Sequence, residues 1–320
     1  MPPLVSILIP CYNAEPWLAE TLQSALNQTW QPLEIILVDD GSTDQSLTIA
    51  QSFQSSKLKV IAQPNRGASA ARNRALQEAQ GEFVQYLDAD DLLAPDKIER
   101  QMALLLAGNL DCVASGSWAR FYTHYAEVVF QPQPLWADFN AVDWLLCAWE
   151  GNWMMHPSAW LIPRTIGDRA GLWNESLSLN DDGEYFCRIV LASREIKFCA
   201  DAKAYYRSGL QGSLSGLKSA SAWRSLWQSL QLDQAHLFEY ENSPRTRRAC
   251  ADRFQRLVYD IYPNYPNLIA EIEAEIQQLG GSSLPPTGSP LYQKLATILG
   301  WKLTKRLQNW RTASIDWRVS

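Results

Sequence analysis

Three carboxylates that follow an apolar run are the first residues of this chain whose types and spacing can do chemistry. The run Phe83–Leu87 leads directly into Asp88, Ala89, Asp90 and Asp91. Ligands of open α/β sheets bind at the C-terminal ends of strands. If the segment stays extended, Asp88 and Asp90 lie on one side of the chain and Ala89 on the other. Two hard oxygen ligands on one side predict a site for a divalent cation such as Mg²⁺ or Mn²⁺, which in turn suits a diphosphate.

Polar residues also end the first two apolar runs. After Val5–Ile9 come Pro10, Tyr12 and Asn13, and after Leu33–Val38 come Asp39 and Asp40. Tyr12 can stack on a nucleotide base, and Asp40 can accept a hydrogen bond from the N3–H of uracil. The structural alternatives are that Tyr12 only packs, that Asn13 caps the next helix and that Asp39 bonds the turn at Gly41. Arg72, near a helix start, offers forked donors for a phosphate or a base edge.

The elements that must position these residues alternate between strand and helix over the first third of the chain. Short turns between them indicate βαβ units and a mostly parallel, doubly wound sheet flanked by helices. Further along, the pattern predicts a hairpin over Trp118–Gln133, strands at Ser158–Ile162, Ile196–Ala200 and Ala204–Tyr206, and a helix from Asp181 to Ala192. We place a domain boundary near residue 218, so that residues 219–320 form a helical extension with a Gly/Ser/Pro linker at about 280–289.

At this point the sequence resembles the family-2 glycosyltransferases of the GT-A fold, which is Rossmann-like. Four motifs carry the resemblance in the family's order, and they are Val5–Asn13, Val38–Asp44, Asn65–Gly67 with Ala71–Asn73, and Leu87–Asp91. A weaker motif, an acidic pair before a helix that ends in Arg, matches Asp181–Arg188. The resemblance covers roughly residues 4–215 and says little about the C-terminal third.

The resemblance implies a role for each acidic group. Asp90 is expected to be the direct metal ligand, Asp88 to contact the ribose and Asp40 to bind the uracil. Asp91 then supports the site from behind. Asp182 aligns as the base that deprotonates the acceptor, a role that its like-charged neighbour Asp181 favours by raising its pKa. The structural alternative is that Asp181 and Asp182 only cap the helix that follows. We therefore expect an inverting, metal-assisted transfer of a sugar from a nucleotide-diphosphate sugar to a hydroxyl group. The expected donor is a UDP-sugar, and the acceptor is a glycan, a lipid-linked molecule or another hydroxyl compound.

Composition and missing motifs narrow the alternatives. The net charge of −6 does not suit a nucleic-acid binder, and no P-loop, GxGxxG, GxSxG or zinc spacing of the three histidines is present. Two rivals stay open: a nucleotidyltransferase-like enzyme, and a catalytically silent glycosyltransferase-like binding protein. The segment Met1–Leu4 shows no signal sequence, and no apolar stretch reaches the ~20 residues that cross a bilayer, so we expect a cytoplasmic protein.

An apolar stripe near the C-terminus has two interpretations. It consists of Tyr292, Leu295, Leu299, Leu303, Leu307 and Trp310, with Lys294, Lys302, Lys305 and Arg306 along one flank. The commoner fate of such a stripe is docking on the chain's own catalytic domain or on a second copy in a homodimer. The alternative is peripheral contact with the inner face of a membrane, which would bring the enzyme to lipid-linked acceptors.

Overall fold

The computed structural model describes residues 1–108, 110–126, 128–210 and 219–316. The chain divides into two compact units, Met1–Leu217 and Lys218–Ser320. Residue 218, near which the sequence predicts the domain boundary, lies outside the described residues, and the assignment of domains stays a prediction.

The first unit contains two sheets. Its strands are β1 (Val5–Cys11), β2 (Leu33–Asp39), β3 (Leu58–Ala62), β4 (Phe83–Tyr86), β5 (Leu92–Leu93), β6 (Cys112–Phe121), β7 (Phe139–Asn140), β8 (Ile162–Pro163) and β9 (Glu195–Arg207). The first sheet has the order β3-β2-β1-β4-β8, in which β1 to β4 are parallel and β8 is antiparallel. In the second sheet β9 pairs in parallel with β6 and antiparallel with β5 and β7. The predicted α/β fold with a mostly parallel sheet is confirmed.

Helices cover the sheets and connect the strands. They are α1 (Leu18–Leu26), α2 (Ser46–Ser52), α3 (Ala68–Glu78), α4 (Lys97–Ala107), α5 (Ala141–Gly151), α6 (Arg164–Ala170) and α7 (Asp181–Ala192). The core strands β1 and β2 are buried almost throughout because their apolar, β-branched residues are covered on both faces. The chain runs from β1 outward to β3 and returns to β4 on the other side of β1. This reversal opens a crevice at the C-terminal ends of β1 and β4, where doubly wound sheets bind ligands.

Three predicted elements differ from the structure. The hairpin over Trp118–Gln133 is wrong, because β6 runs on to Phe121 and the described residues after it form no strand before β7. The strand predicted at Ser158–Ile162 is wrong over its first residues, because Pro157–Ala159 form a 3₁₀ turn that a proline favours at its start. Only the end of the predicted range has β structure: Leu161 forms a bridge with Ala114, and Ile162 begins β8. The two strands predicted after Ile196 are a single strand, β9, whose irregularity is absorbed by a register shift opposite Gly116 and Ser117.

The second unit is helical. Its helices are α8 (Ala220–Tyr240), α9 (Pro244–Ile261), α10 (Pro266–Gln278), α11 (Pro290–Leu299) and α12 (Trp301–Asp316). Trp227 of α8 packs edge-on against Phe254 of α9, with ring centroids 4.8 Å apart, and its indole N–H donates to Glu271 of α10. The first three helices therefore share one core. No helix in the described part of the chain is both long and apolar enough to cross a membrane.

The stripe near the C-terminus is divided between α11 and α12 by Gly300, which has a φ of 77°. Tyr292 is buried, whereas the other members of the stripe are exposed, from Leu295 at 37% to Trp310 at 74%. Basic residues between them face the rest of the unit: Lys302 pairs with Glu273 at 2.6 Å and Lys305 donates to the backbone oxygen of Tyr259 at 3.2 Å. Apolar side chains also pack inward: the ring of Trp301 lies edge-on to those of Tyr259 and Tyr262, with centroids 4.7 and 5.0 Å apart. The exposed leucines and Trp310 thus form an apolar surface outside these contacts.

Candidate functional site

The acidic loop after β4 is a turn, not an extended segment. The amide of Asp91 donates to the carbonyl of Asp88 at 3.1 Å, so the chain reverses through Ala89 and Asp90. The expectation that Asp88 and Asp90 share one side of an extended chain is therefore wrong. A turn brings residues three apart together, and Asp88 and Asp91 converge on His156 with one ligand atom of each within 4.8 Å of the others.

His156 belongs to a segment held by buried polar side chains. Its Nε2 lies 3.0 Å from Asp91 Oδ2 and 3.9 Å from Asp88 Oδ2, and its Nδ1 lies 2.6 Å from Ser158 Oγ. Three fully buried side chains donate to the backbone carbonyls that follow it: Gln85 to that of Ser158, Gln101 to that of Ala159 and Lys97 to that of Trp160. Burial lowers the pKa of Lys97 well below its usual value. The sequence offered only a histidine among aromatic residues as a signal of this contribution.

This group of residues is short of positive charge. Burial, followed by repulsion from Asp91 and Asp88, raises the pKa of Asp90 to about 7. Burial also raises the pKa of Asp91, whereas the neighbouring Arg72 and His156 outweigh burial and lower that of Asp88. Carboxylates and an imidazole are ligands that Mn²⁺ accepts, and a divalent cation relieves repulsion of this kind. The residues present therefore fit a metal ion.

Arg72 of α3 joins this acidic loop to the start of α7. Its Nη2 donates to Asp88 Oδ1 and its Nη1 to Asp181 Oδ2, both at 2.9 Å, and only 8% of the side chain is exposed. The guanidinium lies 4.4 Å above the ring of Trp173. The predicted contact of Arg72 with a ligand stays a prediction, because these donors are bonded to carboxylates of the protein.

Asn73, the neighbour of Arg72, fixes the ring that supports the guanidinium. Its side-chain oxygen accepts from the amide of Trp173 at 2.8 Å and its nitrogen donates to the carbonyl of the same residue at 2.9 Å. The indole of Trp173 also stacks on Tyr185 of α7, with centroids 4.1 Å apart. One tryptophan thus connects α3 with α7 and holds Arg72 between the two acidic groups.

The two carboxylates at the start of α7 have different surroundings. Asp181 accepts from Arg72 and, at 2.9 Å, from Ser69 Oγ. Asp182 accepts from the amide of Gly183 at 2.8 Å and is only partly buried. Burial, followed by repulsion from Asp181, raises the pKa of Asp182, which suits a general base. The role of Asp182 as that base stays a prediction.

The residues predicted to bind the nucleotide lie at the ends of β1 and β2. Pro10 is the sixth residue of β1, and Tyr12 beyond it is 52% exposed, so its ring is accessible for stacking. Asn13 does not cap α1, which begins at Leu18; its side-chain oxygen accepts instead from the amide of Thr43 at 2.8 Å. This bond ties the two strand ends together.

Asp40 organises the loop before α3. Its carboxylate accepts from the side chain of Gln63 at 2.7 Å and from the amides of Arg66 and Gly67 at 3.0 and 2.7 Å. A Cβ at Gly41 would lie 2.8 Å from the amide nitrogen of Asn65, so this close turn requires glycine. The predicted bond from Asp40 to uracil stays a prediction.

Arg207, at the end of β9, holds the acidic loop from the other side. Its amide donates to Asp91 Oδ1 at 2.8 Å, and its Nε donates to the carbonyl of Asp90 at 2.8 Å. Its Nη2 pairs with Glu20 of α1 at 2.6 Å. These contacts position the acidic loop.

Comparison with known proteins gives a consistent result. A family model described as glycosyl transferase family 2 matches residues 6–161. A glycosyltransferase of Haemophilus influenzae is 44% identical over 111 residues, which are 34% of this chain and 44% of that protein. Glycosyltransferase GlyG of Streptococcus pneumoniae is 30% identical over 220 residues, which are 65% of this chain and 71% of that protein. The chain thus spans less than half of the first relative and more than two thirds of the second.

Solved structures share the fold. The structure of residues 1–349 of S. aureus TarS in complex with UDP-GlcNAc aligns with a TM-score of 0.71 at 19% identity, over 98% of this chain and 91% of that chain. Mannosyltransferase PcManGT from Pyrobaculum calidifontis, in complex with GDP-Man and Mn²⁺, aligns with a TM-score of 0.57 at 22% identity, over 98% of this chain and 84% of that chain. These similarities establish a GT-A type fold.

We predict that Arg72→Met lowers the free energy of unfolding of the first unit by about 3–5 kcal/mol, because it leaves Asp88 and Asp181 without their shared counter-charge. Urea denaturation followed by tryptophan fluorescence measures the change. Arg66→Met is the matched control: the Arg66–Glu175 pair is largely exposed and is expected to contribute no more than about 1 kcal/mol. Equal effects of the two substitutions would contradict this account of Arg72.

Proposed function

The chain belongs to glycosyltransferase family 2, and from that premise we propose that it transfers a sugar from a UDP-sugar to an acceptor hydroxyl group by a single, metal-assisted displacement. The observation that carries the proposal is the division of the acidic residues by Arg72. On one side lies the loop with Asp88, Asp90 and Asp91, and on the other lies Asp182 with its raised pKa. One group suits a leaving diphosphate and the other an attacking hydroxyl.

The residues of the first group would hold the donor. Tyr12 would stack on the base, Asp40 would accept from the uracil N3–H and Asp88 would contact the ribose. The resemblance assigns the metal to Asp90, while the geometry adds Asp91 and His156 as neighbours that can ligate. A divalent cation bound there supplies positive charge for the diphosphate leaving group.

Asp182 would accept the proton of the acceptor hydroxyl group as its oxygen attacks the anomeric carbon. With one base on the acceptor side and no second carboxylate assigned as a nucleophile, displacement proceeds once and inverts the anomeric configuration. Arg72 keeps Asp181 bonded, so that Asp182 alone is available as a base.

We also propose that the stripe of α11 and α12 binds an anionic lipid surface. Its exposed members are apolar, and residues 290–316 carry five basic residues and one acidic residue in a chain of net charge −6. Lys294 and Arg306 are exposed members of the basic flank. In a homodimer they would repel their counterparts, whereas anionic headgroups attract them. Trp310 suits the boundary between headgroups and acyl chains.

We predict that Asp182→Asn lowers kcat at least about 100-fold, because the amide cannot accept the proton, while binding of the donor is retained. Release of UDP from UDP-GlcNAc and of GDP from GDP-mannose, with Mn²⁺, measures turnover. In the wild type, turnover should fall as the pH falls through the raised pKa of Asp182, since the base must be deprotonated. The control is Asp168→Asn, an exposed carboxylate of α6, which should match the wild type. Full activity of Asp182→Asn would refute the assignment.

We predict that Asp90→Ala weakens Mn²⁺ binding by about 10-fold or more in the presence of UDP, and that EDTA abolishes turnover. Electron paramagnetic resonance of free Mn²⁺ gives the Kd, with Asp168→Asn again as the control. If Mn²⁺ binding is unchanged in Asp90→Ala but weakened in His156→Ala, the assignment of the metal to Asp90 is wrong. The metal ligands are then Asp88, Asp91 and His156.

We predict that the full chain sediments with phosphatidylglycerol vesicles and not with phosphatidylcholine vesicles, and that a Leu299→Asp, Leu303→Asp variant stays in the supernatant because it places charge in the apolar stripe. Leu106→Asp, at an exposed leucine of α4, is the control and should sediment normally. If the double variant sediments like the wild type, the stripe does not bind lipid. If it instead converts a dimer to a monomer without vesicles, a second copy covers the stripe.

A further inference from the structure

Arg120, at the end of β6, is an exposed arginine with no carboxylate partner among the described residues. Its Nη1 donates to Ser208 Oγ at 3.2 Å and its Nη2 lies 3.5 Å from Met154 Sδ. Other arginines around the site are each paired with a carboxylate, namely Arg66 with Glu175, Arg72 with Asp88 and Asp181, Arg188 with Glu184, and Arg207 with Glu20. Among the residues that the structure describes, Arg120 is therefore the one arginine of this group without a paired carboxylate.

Aromatic rings hold this guanidinium next to the proposed metal site. Its central carbon lies 5.1 Å from the ring centroid of Tyr206 and 5.8 Å from that of Trp118. The ring of Tyr206 in turn lies 4.4 Å from that of His156. A guanidinium supported by two rings loses little conformational freedom when it binds a planar anion, so the side chain is prepared for bidentate contact.

Met154, which Arg120 contacts, and its neighbour in sequence Trp153 offer exposed surface to a sugar ring. Trp153 and Met154 are 43% and 39% exposed, although Trp160 is fully buried and Trp149 nearly so. Of these three tryptophans, Trp153 is thus the accessible one. Exposed aromatic and thioether surface beside a fixed cation provides apolar contact for a ring and a charged contact for its substituent.

Arg120 lies on a different sheet from the residues that are predicted to bind the base. Tyr12 and Asp40 follow β1 and β2 of the first sheet. Arg120 belongs to β6 of the second sheet, and through Tyr206 it neighbours His156 beside the acidic loop. A ligand group at Arg120 is therefore placed by the second sheet and the acidic loop, and not by the strand ends that carry Tyr12 and Asp40.

We infer that Arg120 and Ser208 form a subsite for a carboxylate or phosphate group of the acceptor, and that Trp153 and Met154 contact the sugar that carries it. The inference deepens the proposed function and rests on it. The diphosphate of the donor offers the same chemistry, and the experiment distinguishes the two sources.

Two matched probes test the subsite: p-nitrophenyl β-glucuronide and p-nitrophenyl β-glucoside, which differ in one carboxylate. Their Kd values are measured on the full chain with UDP and Mn²⁺ bound, and transfer from UDP-GlcNAc to each probe is measured in parallel. The wild type should bind the glucuronide about 10-fold more tightly, the range expected of a charge-assisted bidentate contact. Arg120→Gln should remove that preference and leave binding of the glucoside and of UDP within about twofold.

Arg194→Gln is the matched control, because Arg194 is also exposed but lies at the start of β9, at the opposite end of the strand from Arg207. Equal binding of the two probes in the wild type, or a preference that survives in Arg120→Gln, would overturn the inference. Weakened binding of UDP in Arg120→Gln would show that Arg120 binds the diphosphate of the donor and not a group of the acceptor. If the protein turns over no nucleotide sugar but still prefers the glucuronide to the glucoside through Arg120, the proposed function is wrong and the anion subsite is retained.

Discussion

The contact on which the rest of the site depends is the bridge that Arg72 makes between Asp88 and Asp181. These carboxylates come from distant parts of the chain, one after β4 and one at the start of α7. Without a cation between them, these two partly buried carboxylates would repel each other and desolvation would penalise both. The guanidinium converts that repulsion into attraction, and the stacked ring of Trp173 fixes where it lies. It therefore sets the separation between the group that suits the donor and the group that suits the acceptor.

The acidic loop after β4, in contrast, carries an excess of negative charge. Arg207 and His156 contact it, yet the pKa of Asp90 is still raised to about 7 because burial and two neighbouring carboxylates disfavour its charge. A cation that binds to such a site lowers its free energy. The repulsion between carboxylates that raises the pKa of Asp90 is therefore also what favours binding of a cation. The protein compensates Asp88 with its own arginine and leaves the remaining charge for a ligand.

The fold and most of the positions of the site were predictable from the sequence. Strand ends are marked by a change from β-branched apolar residues to polar ones, and in a parallel sheet such ends meet at one edge. That change marks Asp40 after β2 and Asp88 after β4, whereas Asp182 follows from the family resemblance alone, because it lies at the start of α7 and not after a strand. The hairpin after Trp118 and the strand at Ser158 were wrong because alternation of residue types also occurs in segments without regular structure. Residues 122–126 are exposed and Pro157–Ala159 form a buried 3₁₀ turn, and in neither segment does a strand ladder hold the backbone.

Local signals in the sequence determined the family, the order of strands and helices and the residue types at the edge of the sheet. Only the tertiary structure decided which residues meet. It showed that the acidic loop turns and brings Asp91 to His156, that Arg72 binds protein carboxylates, and that Arg120 has no paired carboxylate among the described residues. The physical reason is that spacing along the chain fixes contacts within one element, whereas charge balance depends on groups that are tens to more than a hundred residues apart and meet only when the core has formed.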